Sequence, residues 1–127
     1  MIRKKILFTS TLFFLIGCNQ KSIEFARETI NVHPNEPFTI SLESNPSTGY
    51  QWTICNYTPS GPIKLKDCTF EPNKKTELIG APGTESFNFE TEKIEHQAIV
   101  YLTFNYVGPG EDGTKPAKQI HYTININ

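Results

Sequence analysis

The chain has 127 residues, with 12 basic against 13 acidic side chains and a formal charge of −1 at pH 7. Without Arg3, Lys4 and Lys5, which belong to a leader, nine basic groups face 13 acidic ones. That is a charge of −4 with no basic patch or stripe, which argues against a nucleic-acid ligand. The leader itself is legible. Its basic start is followed by Ile6 to Ile16, apolar apart from Thr9, Ser10 and Thr11, and Leu15-Ile-Gly-Cys18 closes it. This is the pattern of a bacterial secretory signal ending in a lipobox, with the Cys18 thiol as lipid acceptor. At 11 residues the apolar run is too short to span a membrane, which takes about 20. The expected organisation is a signal peptide over 1–17, the lipidated Cys18 and a tether over 18–27, and one domain over 28–127. Such a chain is exported and membrane-anchored, periplasmic or surface-exposed, and outer-membrane if the cell is Gram-negative.

After the tether the pattern has period two, broken by turn residues. Thr29 to Val32 reads as a short strand, and His33-Pro-Asn-Glu-Pro37 as a turn. Phe38, Ile40 and Leu42 then alternate with Thr39, Ser41 and Glu43, a half-buried strand. Asn45-Pro-Ser-Thr-Gly49 forms the next loop and runs straight into Tyr50 and Trp52, which share one face of a strand reaching Ile54. Pro46 fixes its own φ and pushes Asn45 toward an extended conformation, while Gly49 permits angles other residues resist. Local chemistry alone fits either an anchored binding tip or an ordinary turn above a buried Trp. Ile63 and Leu65 alternate with Lys64 and Lys66, an edge strand whose lysines discourage further pairing. Thr76 to Ile79 is a short strand before Gly80-Ala-Pro-Gly83, and Phe87 and Phe89 point together on the one after it. Ala98 to Tyr106 is the longest strand, Gly108 to Gly113 a loop, and Ile120 to Ile126 the last strand. Seven to eight short strands without a helical stretch imply an all-β, antiparallel β-sandwich.

Catalytic and metal chemistry is hard to assemble from this sequence. Gly-x-Ser-x-Gly and phosphate-loop motifs do not occur. His33, His96 and His121 are scattered without ligand spacing, so no metal and no cofactor is expected. With Cys18 assigned to lipid, Cys55 and Cys68 remain. In an oxidising compartment they form either a disulfide or two buried free thiols, and neither setting would lower a thiol pKa.

Three segments carry a family resemblance. Asn45-Pro-Ser-Thr-Gly-Tyr50 with Trp52 is similar to the Asn-Pro-Thr/Ser-Thr-Gly-Tyr-x-Trp motif of the chagasin-like inhibitors of papain-type cysteine proteases. Gly80-Ala-Pro-Gly-Thr84 with Phe87 and Phe89 resembles that family's Gly-x-x-Gly loop and aromatic strand. Tyr106, Pro109 and Pro116-Ala-Lys118 resemble its ending. The resemblance covers roughly residues 28–127 and implies an immunoglobulin-like β-sandwich, acting as a monomer, that fills a protease groove with three loops. The implied contact residues are Asn45, Pro46, Ser47, Thr48, Gly49 and Tyr50, then Gly80, Ala81, Pro82, Gly83 and Thr84, then Gly108, Pro109 and Gly110 in the 108–113 loop. It departs in the third loop, where the family's Arg-Pro-Trp is replaced by Gly108-Pro109-Gly110. Arg and Trp are frequent interface hot spots, so this departure bears on affinity or target. The alternative it leaves open is a non-inhibitory, immunoglobulin-like surface lipoprotein that binds another protein or a glycan.

Overall fold

The computed structural model describes residues 23–73, 82–111 and 113–127. Seven strands follow in order: β1 (Glu24–Val32), β2 (Pro37–Ser44), β3 (Gln51–Ile54), β4 (Ile63–Pro72), β5 (Gly83–Thr91), β6 (Ala98–Val107) and β7 (Lys118–Ile126). One short 3₁₀ turn, Pro46–Thr48, separates β2 from β3. The strands form a four-stranded sheet in the order β1-β7-β6-β3 and a three-stranded sheet in the order β2-β5-β4.

The alternations seen in the sequence become the two faces of these sheets. Ile40 lies opposite Phe87 and Phe38 opposite Phe89, the last two rings stacked at 5.1 Å. Leu102, Phe104 and Tyr106 point inward from β6, as Tyr122, Ile124 and Ile126 do from β7. Phe104 joins the sheets, edge-on to Phe87 at 5.0 Å and to Tyr122 at 5.6 Å. Each such ring, fully buried, contributes about 1.5–3 kcal/mol. β4 lies at a sheet edge, as the lysines imply, and Lys66 pairs with Glu90 at 3.6 Å.

Four expectations are corrected. β1 begins at Glu24, so residues 24–27 are sheet rather than tether. It also runs parallel to β7, with Glu24 opposite Lys118 and Val32 opposite Ile126, in an otherwise antiparallel sandwich. The reason is that β1 leads into β2 of the other sheet rather than folding back as a hairpin. Its first residues are exposed and held by backbone pairing, which leaves no apolar alternation to read. β4 continues past Leu65 to Pro72 through a bulge between Leu65 and Asp67, which breaks the period-two pattern. Finally, Cys55 and Cys68 are both exposed and unbonded. Cys55 follows β3 in one sheet and Cys68 lies on β4, an edge strand of the other, and neither is buried as the second alternative expected. The strand expected over 76–79 falls outside the described residues.

Candidate functional site

The strand register brings the three glycine- and proline-rich loops to one end of the sandwich. Ser44 ends β2 opposite Gly83, which begins β5 and also faces Pro72 at the end of β4. Gln51, opening β3, lies opposite Val107, which closes β6. The chain therefore leaves and re-enters the sheets at the same end around 45–50, 73–82 and 108–117. Spacing alone could not establish this.

The first loop is braced by its own polar groups. Asn45 is extended at φ −132°, as the following proline requires, and Pro46–Thr48 close a single tight turn. The Thr48 amide donates to the Asn45 carbonyl at 3.1 Å and the Gly49 amide to the Pro46 carbonyl at 2.9 Å. Ser47 Oγ donates to Asn45 Oδ1 at 2.6 Å, and Thr48 Oγ1 to the Asn45 carbonyl at 2.7 Å. Gly49 takes φ +85°, a left-handed angle that suits glycine. Pro46, Ser47, Thr48 and Gly49 are all exposed, so the tip is open to a partner.

Beneath the tip lies an aromatic clamp. The Trp52 indole N–H donates to the Glu43 carbonyl at 3.0 Å, tying the strand after the loop to the strand before it. Tyr106 from β6 packs against Tyr50 at 5.3 Å and Trp52 at 4.8 Å, and Lys118 Nζ sits 5.5 Å from its ring centre. Its hydroxyl accepts the Asn45 amide at 3.1 Å. Tyr50 is half-buried and Trp52 buried, which supports reading them as struts under the loop.

The third loop touches the first. A Cβ built on Gly49 would lie 3.1 Å from Pro109 Cγ, so the two loops meet there with no room to spare. Glu111 folds back to accept the Gly108 amide at 2.7 Å, and its own amide donates to the Gly108 carbonyl at 3.2 Å. Gly108 is buried, and a Cβ there would come within 2.8 Å of the Tyr50 ring. Gly110 is exposed at φ +75° with open space around it. The second loop is described only at its exit. Pro82 and Thr84 are exposed, whereas Gly80 and Ala81 lie outside the described residues. Gly83 is buried where three strand ends meet. A Cβ there would collide with the Glu71 carbonyl and lie 2.7 Å from Phe70 Cζ.

Among the described residues neither thiol is activated. Burial of the sulfur, with the Glu85 carboxylate 3.5 Å away, pushes the Cys68 thiol up to about 11; burial also raises Cys55. Among the described residues no group of His, Cys, Asp or Glu could hold a metal ion. Sequence reasoning found the loops but missed what braces them, chiefly the Tyr106 hydroxyl and Glu111. The inward parity of Tyr106 on β6 was the available signal; the Glu111 contact had none.

A β-sandwich with small, preshaped and exposed loop residues at one end has the form of a protein-binding module. The chain belongs to the chagasin family of peptidase inhibitors, I42, whose family model matches residues 31–126. It is 33% identical over 93 residues to chagasin of Trypanosoma cruzi, an alignment covering 68% of this chain and 82% of that one. Its fold is similar to that of the cysteine protease inhibitor EhICP2 from Entamoeba histolytica, with a TM-score of 0.63 and 24% identity over 83% of this chain and 96% of that one. It is also similar to PbICP-C, solved in complex with falcipain-2, with a TM-score of 0.55 and 23% identity over 88% and 96% of the two chains.

Proposed function

We propose that this protein is a reversible, tight-binding inhibitor of papain-type cysteine proteases, held at a membrane by a lipid on Cys18. The observation that carries the inhibitory reading is the braced first loop, a tight turn of small exposed residues in contact with Pro109. A papain-type site holds a thiolate–imidazolium pair at the floor of a groove. Thr48 and Gly49 enter it closest to that pair, because short side chains let the backbone approach. The second loop lies along the substrate groove and the Gly108–Gly110 turn reaches its far side. Since the turn's hydrogen bonds exist before binding, little ordering entropy is lost on association. The protein acts by occupying the site as a monomer and performs no chemistry of its own. It is exported, and outer-membrane if the cell is Gram-negative.

A second reading is favoured by one observation. Gly108 and Gly110 replace the Arg and Trp of the family pattern, and Tyr50 and Glu111 occupy the space a side chain at 108 would need. On that reading the sandwich is retained as a surface lipoprotein for another protein or a glycan. Titrating papain and a cathepsin L-like enzyme with the purified protein separates the two. Stoichiometric, reversible inhibition with the protein left uncleaved, lost on replacing residues 45–49, supports the inhibitor. No inhibition at micromolar concentration by a folded protein refutes it.

A further inference from the structure

The first described strand begins at the end of the sandwich that carries the loops. β1 enters the sheet there, with Glu24 opposite Lys118 and its amide bonded to the Ala117 carbonyl at 3.2 Å. Five residues lie between Cys18 and Glu24, so a lipid on the Cys18 sulfur would lie within about 20 Å of the loop end even on a fully extended chain. A globular enzyme of 200 residues is about 40 Å across by the usual scaling of radius of gyration. A sandwich standing on its anchored end would leave no room for such a partner. Access to the loops requires the sandwich to lie down, and one of its faces is suited to that.

Of the five large apolar side chains that are exposed among the described residues, Phe25, Ile99 and Tyr101 point outward from the four-stranded sheet, and Ile23 immediately precedes β1. Ile23 and Phe25 are each 47% exposed at the anchored end, while Ile99 is 58% and Tyr101 63% exposed toward the other end. Arg27 lies over the Phe25 ring at 5.0 Å, and His121 packs beside it at 4.9 Å. The outward positions of β1, β7, β6 and β3 include no carboxylate; Arg27 is their one full charge among the described residues. The outer face of the other sheet is the opposite case, with Glu43, Asp67, Glu71 and Glu90 against Lys64 and Lys66. The strands of one face thus present no acid, the nearest being Glu111 on the loop beside Gln51, Thr53 and Val107, and that face is apolar at both ends. The other is acidic.

We propose that the outer face of the four-stranded sheet rests on an anionic lipid surface, laying the sandwich flat so that its three loops point along the membrane. This rests on the reading of Cys18 as the lipid acceptor. Apolar and aromatic side chains settle into the headgroup region while Arg27 meets lipid phosphates.

The test uses the processed lipoprotein, purified with its lipid and reconstituted in vesicles of phosphatidylethanolamine and phosphatidylglycerol. Ile99→Trp and, on the opposite face, Thr39→Trp report depth through quenching by brominated lipids; the native Trp52 is buried and supplies a constant background. Emission from Ile99→Trp should fall by about half and that from Thr39→Trp hardly at all, as expected for a side chain seated in the interface. Adding Phe25→Glu with Arg27→Glu should abolish that quenching while the protein still floats with the vesicles. Equal quenching of both probes, or quenching that survives the two glutamates, overturns the docking face while the anchor reading stands. A protein whose flotation is unchanged by Cys18→Ser overturns the anchor reading and this proposal with it.

Discussion

Tyr106→Phe isolates how the first loop is held. The substitution removes one hydroxyl, which accepts the Asn45 amide at 3.1 Å, and keeps the ring against Tyr50, Trp52 and Lys118. A net hydrogen bond of this kind is worth about 1 kcal/mol, and Asn45 is only half-buried, so water can partly replace the lost acceptor. If the bond is made equally in the free and bound protein, its loss falls on stability. The thermal midpoint then drops by about 5 °C. If the bond also selects the loop shape that binds, part of the same 1 kcal/mol appears in the inhibition constant, a rise of up to about fivefold. Both are measurable on one preparation, by calorimetry and by titration of papain with a fluorogenic peptide. We expect both to move, with dissociation accelerated and association nearly unchanged. An inhibition constant within experimental error of the parent, alongside the lowered midpoint, would refute the claim that Tyr106 preorganises the loop.

Gly83→Ala places a methyl group against the Glu71 carbonyl and 2.7 Å from the Phe70 ring; urea unfolding should show a loss of about 2 kcal/mol. Gly49→Ala must hold φ +85° with its Cβ 3.1 Å from Pro109, so inhibition should weaken about tenfold, whereas Gly110→Ala, strained at φ +75° but free of contacts, should lose stability with a smaller effect on inhibition. With its thiol near 11, Cys68 is about one part in a thousand thiolate at pH 8; alkylation by iodoacetamide should rise about tenfold per pH unit up to pH 10, and Glu85→Gln should accelerate it, as peptide mapping would show. Since the folded thiol titrates above the ordinary cysteine value of 9.0, its contribution to stability is complete at neutral pH and is lost only as pH climbs from 9 toward 11.

The sandwich was legible where one face of a strand is buried and the other wet. Phe38, Ile40 and Leu42, or Leu102, Phe104 and Tyr106, can satisfy that condition only as half-buried strands, so their faces followed from period alone. Legibility failed where backbone pairing does the holding. β1 before Ile30 and β4 beyond Leu65 are exposed edge segments, so their side chains carry little record of their sheet partners. The parallel direction of β1 left no trace either, because side-chain alternation is the same in both directions.

The binding end divides in the same way. Asn45 to Gly49 could be read because each residue does something local: proline sets a φ, Asn, Ser and Thr bond within the turn, and glycine takes a positive φ. The third loop could not, because its shape depends on a partner distant in sequence, Tyr50, and on a side-chain contact from Glu111 that has no sequence signature. Gly108 has no side chain where Tyr50 packs, and Glu111 closes the turn by accepting the Gly108 amide. An arginine at 108 is therefore not an isolated addition, since the Tyr50 ring would have to move, and Tyr50 also supports the first loop through Tyr106. Because the family motif keeps the tyrosine that Tyr50 matches alongside that Arg, the departure itself lies in the third loop, and in this chain a side chain at 108 depends on where the Tyr50 ring sits. Grafting Arg and Trp onto positions 108 and 110 should consequently fail to improve inhibition unless Tyr50 is made smaller in the same protein. A titration comparing Gly108→Arg with Gly110→Trp, in the presence of Tyr50 and then of Tyr50→Ala, decides this: additive effects would show the loops to be independent, and a gain confined to the combined variant would show them coupled.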